Sequence, residues 1–324
     1  MIHADAETVH RLLDYPGLIE ALREAHREGL APQVGAQVMD EPGGANAFVS
    51  LVAWAPHRAI AAKLVGVFPD NVARSPPEPS VQGLVALFDA ETGRALMTAD
   101  GAALTFRKTA ADSALGADFL ARKNVRTLLV VGAGGLAPHV VEAHLAVRPS
   151  LGRVLIWNRT AAKAKDLAAR LAGLPATVQA VDDLDAALPL ADVISCVTMA
   201  RAPVVKGALL KAGAHVDLVG AYTPEMREAD DDVVLKAGAI FVDTRANCEN
   251  SGELSQPLAR QLITRNGIVA DLFDLAAGRH PGRTGDQQIT MYKNVGGGHL
   301  DLYAASYLLR RLRRGGDRAF PVAG

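Results

Sequence analysis

Three small residues at a fixed spacing mark where a nucleotide could lie against bare backbone. Gly132, Gly134 and Ala137 read G-x-G-x-x-A within residues 127–147. Residues 127–131, TLLVV, precede them as a buried strand, and apolar residues at helical spacing follow. A bare glycine pattern also suits an ordinary loop. The strand before and the helix after are the context that dinucleotide binding requires. Gly132 would make the tight turn, Gly134 would let a pyrophosphate approach the main chain, and Ala137 would keep helix and strand close. Ala133, Gly135 and Leu136 complete the loop. The free N–H groups and the dipole of the new helix favour a diphosphate.

The end of the next strand bears on which dinucleotide. Residues 153–157 are apolar apart from Arg153, and Asn158-Arg159-Thr160 follows. An NAD-preferring fold ends this strand with Asp or Glu on the ribose 2′-hydroxyl. No carboxylate stands there in this chain. Asn158 can hydrogen-bond, Arg159 can stack on adenine and meet a 2′-phosphate, and Thr160 can cap the next helix. Lys163 adds charge in that helix's first turn. A polar turn with a solvated Arg fits the same residues, but the missing acid favours NADPH, with NADH possible.

Hydride chemistry also needs an electrophilic carbon near the nicotinamide and a way to handle a proton. Outside the glycine loop the cations Lys63, Arg107 and Lys108 draw the eye. Successive helical residues point about 100° apart, so only one of Arg107 and Lys108 can face a given cleft. Two cations converging from different elements would clamp a carboxylate. On composition alone each is an ordinary solvated side chain. Nine His are present without H-x-x-x-H or H-E-x-x-H spacing, so no catalytic metal is expected. Cys196, at a strand end, reads as a small buried residue. His139 and His144 read as structural or exposed, and Asp243, Glu253 and Asp301 as interdomain or helix-capping groups. Gly296-Gly297-Gly298 offers close backbone approach, near the nicotinamide.

The elements that must position these groups form two regions. Residues 5–30 read as helical, broken at Pro16-Gly17. Short strands follow at 33–39, 47–53, 59–64, 82–89 and 96–98, with turns at 41–44, 56–57 and 91–93. That is an α+β arrangement, helices first and antiparallel strands after. A helix from Leu104 to about Arg122 bridges to the second region. Strand candidates at 127–131, 153–157, 176–180, 192–197, 214–219, 239–243 and 267–270 then alternate with helices, which implies a doubly wound parallel sheet. Cys196, Val197 and Thr198, ending the fourth strand, would border the cofactor crevice. Residues 300–312 form a last helix, with 310–314 as its solvated end. The expected fold class is α/β: a doubly wound parallel Rossmann domain over residues 113–301, and an α+β domain built from 1–112 with 302–324.

Bulk properties bound the rest. A chain of 324 residues with 49% apolar content can build two domains and their cores. A formal net charge of −1 argues against nucleic acid or an anionic membrane as partner. Two cysteines give no disulfide framework and fit a reducing, cytoplasmic setting. The charged, amphipathic N-terminus is unlike a signal peptide, and no apolar run reaches membrane-spanning length.

A set of motifs then points to a family. Lys63…Phe68-Pro69-Asp70-Asn71, Thr92-Gly93, Leu104-Thr105…Lys108-Thr109-Ala110-Ala111, Gly132-Ala133-Gly134, Val219-Gly220-Ala221…Pro224…Glu228, Val242-Asp243, Ser251-Gly252-Glu253 and Lys293…Gly296…Asp301-Leu302 together resemble the ornithine cyclodeaminase/mu-crystallin family. The match covers about residues 60 to 305, and the first sixty match weakly. The resemblance implies a homodimer built through the first domain, with substrate between the domains and over the nicotinamide. It implies that Lys63 and the cation at 108 hold the substrate carboxylate, that the Ser80 hydroxyl touches the nicotinamide, and that Val219 and Gly220 serve the cofactor. Three positions depart from the pattern: Lys108 replaces a fork-shaped Arg with a point charge, Pro32-Gln33-Val34 lacks a further Arg, and Leu136 replaces a frequent Gln.

Residue 222 is the most informative departure. Cyclodeaminases carry Asp in G-[GA]-D-x-P-G-K-x-E, where the carboxylate activates water. This chain reads Gly220-Ala221-Tyr222-Thr223-Pro224-Glu225-Met226-Arg227-Glu228. That version resembles the ketimine reductase branch, whose members reduce Δ1-pyrroline-2-carboxylate to L-proline, and often the six-membered homologue to L-pipecolate. The implied protein is an NAD(P)H-dependent oxidoreductase of amino-acid and proline metabolism acting on a small cyclic imino acid. Tyr222 would either donate a hydrogen bond near the ring nitrogen or wall the pocket; the wall is preferred, since Tyr is commonly half-buried with its hydroxyl paired. Other members of the family keep further readings open: an ornithine or lysine cyclodeaminase, an alanine dehydrogenase, or a non-catalytic NADPH-dependent binding protein like mu-crystallin.

Overall fold

A computed structural model describes residues 1–246 and 248–313, with all their side chains except that of Val72. The expected segment beyond 313, including Arg314, lies outside the described residues. Contacts divide the chain into two compact units, Met1–Thr109 with the chain from Gly297, and Ala110–Gly296.

The first unit begins with β1 (Ile2–Ala4), α1 (Ala6–Leu12) and α2 (Tyr15–Arg27). The break anticipated at Pro16-Gly17 is instead a helix start. Asp14 accepts a 2.9 Å hydrogen bond from the Gly17 N–H, and Pro16 sits in the first turn, where its missing N–H costs nothing. The strands β2 (Gln33–Asp40), β3 (Ala47–Ala55), β4 (Ala59–Val67), β5 (Val81–Asp89) and β6 (Ala95–Asp100) form an antiparallel run. β1 adds to β6 in parallel, so the sheet is mixed, in the order β1-β6-β5-β4-β3-β2. Three residues are too few to show period-two alternation, which is why β1 escapes a reading by pattern. The helix α3 (Gly101–Leu120) then runs through the boundary at Thr109.

Strand, helix and strand alternate through the second unit: β7 (Thr127–Val131), α4 (Ala137–Val147), β8 (Arg153–Trp157), α5 (Ala161–Arg170), β9 (Thr177–Ala180), α6 (Leu184–Ala187), β10 (Val193–Cys196), β11 (His215–Leu218), α7 (Asp231–Ala237), β12 (Ile240–Val242), α8 (Gly252–Ala259), β13 (Ile268–Asp271), α9 (Leu272–Ala276) and β14 (Thr290–Lys293). All pair in parallel, in the order β13-β12-β14-β11-β10-β7-β8-β9. The sheet is the doubly wound one that the alternation implies, with one addition. β14, absent from the strand candidates, lies between β11 and β12. Its flanks Thr290 and Lys293 are polar yet fully buried, and so break the apolar signature of a central strand. Leu129, Val131, Ile194, Val216, Leu218 and Met291 share one core cluster.

The chain returns to the first unit as α10 (Gly298–Leu312), which packs on β3, β4, β5 and α2. α10 is buried through most of its length, not along one stripe. It covers one face of the mixed sheet. Among the described residues, no helix is long and apolar enough to cross a membrane.

Candidate functional site

The second unit builds a dinucleotide cradle at the carboxyl ends of β7 and β10, where the strand order reverses. Gly132 leaves β7 with φ +116°, a conformation L side chains rarely adopt, and a Cβ there would lie 2.9 Å from the Val197 carbonyl oxygen. The next turn is open: a Cβ on Gly134 would meet nothing within 4 Å. Leu136 offers no side-chain cap to α4; Ala137 donates its N–H to the Gly134 carbonyl at 3.1 Å, which closes the glycine turn onto the helix start. Ala137 is fully buried against the strand. Ala133 and Leu136 are half-buried, and Gly135 is exposed. These features suit a pyrophosphate.

Asn158 is committed within the protein. Its side-chain oxygen accepts from the Ala133 N–H at 3.2 Å and its amide donates to the Thr160 carbonyl at 3.0 Å, tying the β8 loop to the glycine turn. Thr160 stands at the N-cap of α5, but its hydroxyl makes no capping bond there, contrary to the role expected of it. Arg159 and Lys163 are exposed.

The loops after β10 and β11 are stapled by a residue outside the expected site. Buried Glu228 accepts from the Thr198 N–H (2.6 Å) and hydroxyl (2.9 Å) with one oxygen, and from the Gly220 N–H (2.7 Å) with the other. A Cβ on Gly220 would sit 1.8 Å from the Thr198 carbonyl oxygen, so only glycine allows this approach. Val197 donates its N–H to the Val131 carbonyl, and Val219 to that of Cys196, both at 2.9 Å. Cys196 contributes backbone alone: its side chain is buried, and burial, then the Glu228 charge, pushes the thiol well above its ordinary range. Burial also raises the Glu228 carboxyl. Glu253 accepts from the Glu228 N–H and, at 3.3 Å, from the Ala229 N–H. Burial, then the Glu228 charge, pushes the Glu253 carboxyl up to about 7. Asp243 accepts from the Gly296 N–H at 2.7 Å, and burial pushes it up to about 6. Neither acid caps a helix, one of the two roles expected of them; Ser251 caps α8. Tyr222, expected to be half-buried, is 59% exposed.

The first unit brings the expected carboxylate-binding cations together. Lys63 on β4 donates to the Thr105 hydroxyl at 2.7 Å, and that hydroxyl donates to the Gly101 carbonyl at 2.6 Å. Lys108, one turn further along α3, donates to the Gly297 carbonyl at 3.3 Å. Both ammonium groups converge on Asp301 Oδ1 in the first turn of α10, Lys108 at 3.2 Å and Lys63 at 3.8 Å. Burial lowers the Lys63 pKa; Asp301 opposes that, and Lys108 adds to it. A cavity of about 130 Å³ opens beside Lys63, lined by Val65, Gly83, Thr105 and Phe106. Arg107 points elsewhere, stacking 4.5 Å from the Tyr15 ring centroid and donating to His10 at 3.2 Å. Ser80 is half-buried and donates to the Pro69 carbonyl at 3.4 Å.

Asp301, expected as an interdomain or helix-capping group, makes no capping bond to α10, and Thr105 had no assigned role. An acid in a helix's first turn is routine, so position alone could not mark Asp301 as a counter-ion. Among the described residues no His, Cys, Asp and Glu group could hold a metal ion.

Residues 43–316 match the profile of the ornithine cyclodeaminase/mu-crystallin family. A Δ1-pyrroline-2-carboxylate reductase of Paracoccus denitrificans is 42% identical over 299 residues, covering 92% of this chain and 93% of its own. The structure of Thermococcus litoralis Δ1-pyrroline-2-carboxylate reductase, in complex with NADH and L-proline, superposes with a TM-score of 0.89 at 26% identity, covering 97% of this chain and 98% of that one. The iminosuccinate reductase of Paracoccus denitrificans, in complex with NAD+, gives 0.83 at 28% identity over 97% and 96% of the two chains.

Proposed function

This chain belongs to the ornithine cyclodeaminase/mu-crystallin family, and from that premise we propose that it is an NAD(P)H-dependent reductase of cyclic ketimines. The substrate is Δ1-pyrroline-2-carboxylate, reduced to L-proline; its six-membered homologue would give L-pipecolate. The observation that carries this reading is the pair of lysines gathered on Asp301, of which Lys63 lines a cavity of about 130 Å³, in a chain whose close relative is a reductase of that imine.

A nicotinamide dinucleotide, when bound, supplies the hydride that C2 of the imine accepts. The glycine turn and α4 N-terminus bind its diphosphate. Lys63 and Lys108 hold the substrate carboxylate. The protonated C=N is already electrophilic, so the protein needs no strong base; it must orient the substrate and exclude water. Tyr222 is a phenol at a position where a hydrating enzyme carries a carboxylate base. That favours reduction over cyclodeamination. Ser80, Val197, Thr198, Val219 and Gly220 serve the nicotinamide end of the cofactor, and Arg159 and Lys163 its adenosine end. We read NADPH as the preferred form, since no acid ends β8 and two exposed cations stand near; the solved relatives named above hold NADH or NAD+. The first unit binds substrate and dimerises, and the two buried cysteines suit the reducing cytoplasm.

The test is turnover. The purified protein should oxidise NADPH with Δ1-pyrroline-2-carboxylate, form L-proline, and release no ammonia from ornithine. Steady ammonia release without imine reduction would replace this reading with the cyclodeaminase one.

A further inference from the structure

Two ammonium groups buried side by side repel one another and lose hydration, and both effects favour the neutral amines. A neutral amine pair would bind a carboxylate poorly. The first unit meets this with one buried acid, Asp301, whose side chain is 3% exposed. Its Oδ1 lies 3.2 Å from Lys108 Nζ and 3.8 Å from Lys63 Nζ. Neither carboxylate oxygen has a hydrogen bond of good geometry among the described residues, so the link is Coulombic. The directed hydrogen bonds of the lysines go instead to the Thr105 hydroxyl and the Gly297 carbonyl.

We propose that Asp301 is a positioning residue for the substrate: a buried counter-ion that keeps Lys63 and Lys108 charged and adjacent, leaving one net positive charge for a single carboxylate. Thr105 completes the arrangement by fixing Lys63 Nζ. The groups facing Asp301 are Lys63 from β4 and Lys108 from α3. Beyond them stand His299 on α10 and, 5.5 Å from it, His26 on α2. Burial lowers His26 to about 4 and His299 well below the ordinary histidine value, so both rings are neutral near pH 7. The titrating charge is therefore that of Lys63. Loss of Asp301 removes the influence that opposes desolvation of Lys63, so the clamp should discharge at lower pH.

This rests on the reading of Lys63 and Lys108 as the carboxylate clamp. The experiment uses pyrrole-2-carboxylate, a planar monocarboxylate that cannot accept hydride at an imine carbon, and measures its binding to the NAD+-loaded protein by calorimetry across pH. Wild-type affinity should fall as pH rises through the lysine titration. In Asp301→Asn that midpoint should move down by about 1–3 pH units, with NAD+ affinity kept; Asp301→Glu should stay near wild type. An unmoved midpoint in a folded Asp301→Asn protein overturns the proposal. If Asp301→Asn does not fold, the double variant Lys108→Met/Asp301→Asn, which restores the net charge, should recover folding and NAD+ binding. Failure of that rescue also overturns the proposal. Wild type that ignores the probe would sink the clamp and this inference together, whereas probe binding without imine reduction would sink the reductase reading alone.

Discussion

Lys63 is a cation that burial works to discharge, yet its ammonium is held among a hydroxyl, a carboxylate and a second ammonium. Such a group binds an anion well because little water competes for it. Lys63→Met should lower kcat/KM for the imino acid about 10- to 100-fold, the equivalent of one charged hydrogen bond of about 1.5–3 kcal/mol. Cofactor affinity should be nearly unchanged; an equal loss there would place Lys63 in the other half of the chemistry. Arg159 carries the opposite signature. It is exposed at the end of β8, so Arg159→Ala should weaken NADPH by about 1–3 kcal/mol while sparing NADH. Parallel titrations with the two cofactors decide this, and equal losses would show that Arg159 does not meet a 2′-phosphate. Tyr222 is 59% exposed, unlike a residue that donates from inside a packed site. Tyr222→Phe should retain most of the reductase rate. A drop on the order of 10²–10⁴-fold would instead make the hydroxyl the proton donor.

The loops after β10 and β11 are long and largely irregular, and their amides would be costly to bury without partners. Glu228 satisfies those of Thr198 and Gly220, and Glu253 in turn satisfies the amides of Glu228 and Ala229. Two buried carboxyls this close resist ionising together. Glu253, ordinarily near 4.5, is pushed up to about 7 by burial and by Glu228. The folded chain thus holds that proton more tightly than the unfolded chain does. Its contribution to stability is full below about pH 4.5 and is lost as pH rises through about 7. Glu253→Gln keeps an accepting oxygen and cannot ionise. Between about pH 5 and pH 7 its Tm should therefore fall less steeply than that of wild type, by a difference worth about 1–3 kcal/mol. Parallel slopes in the two proteins would mean that Glu253 does not titrate in that window.

The mixed sheet has one covered face and one bare one. Side chains alternate along each strand, and the register places Met39, Phe48, Val52, Trp54, Leu64 and Leu84 on the same side. Each is at least 36% exposed. Lys63, of opposite parity on β4, lies on the face that α10 covers. A contiguous apolar face of this kind is typical of a surface that another subunit buries. It supports the proposed homodimer through the first unit. Trp54→Glu with Leu64→Glu should turn a dimer into a monomer in sedimentation velocity without touching the cation cluster. A wild-type protein that sediments as a monomer would remove the dimer reading.

What could be read along the chain is what depends on neighbours in the chain. The glycine turn, its strand and its helix are legible because backbone approach to a phosphate demands small residues at set spacing within one short segment. The alternation of strands and helices is legible for the same reason, since each element's period is local. β14 was not, because Thr290 and Lys293 look like surface residues until their partners are known. Thr290 pairs with His215, and Lys293 with the Leu218 carbonyl, each 75 positions away. Asp301 was hidden in the same way. In the first turn of a helix an acid suits the dipole and needs no other explanation. Only the packing of α10 against β4, together with the approach of Lys108 on α3, makes it the counter-ion of two lysines. Burial and charge pairing are properties of the whole fold, because a buried charge takes its energy from groups that tertiary contacts bring to it.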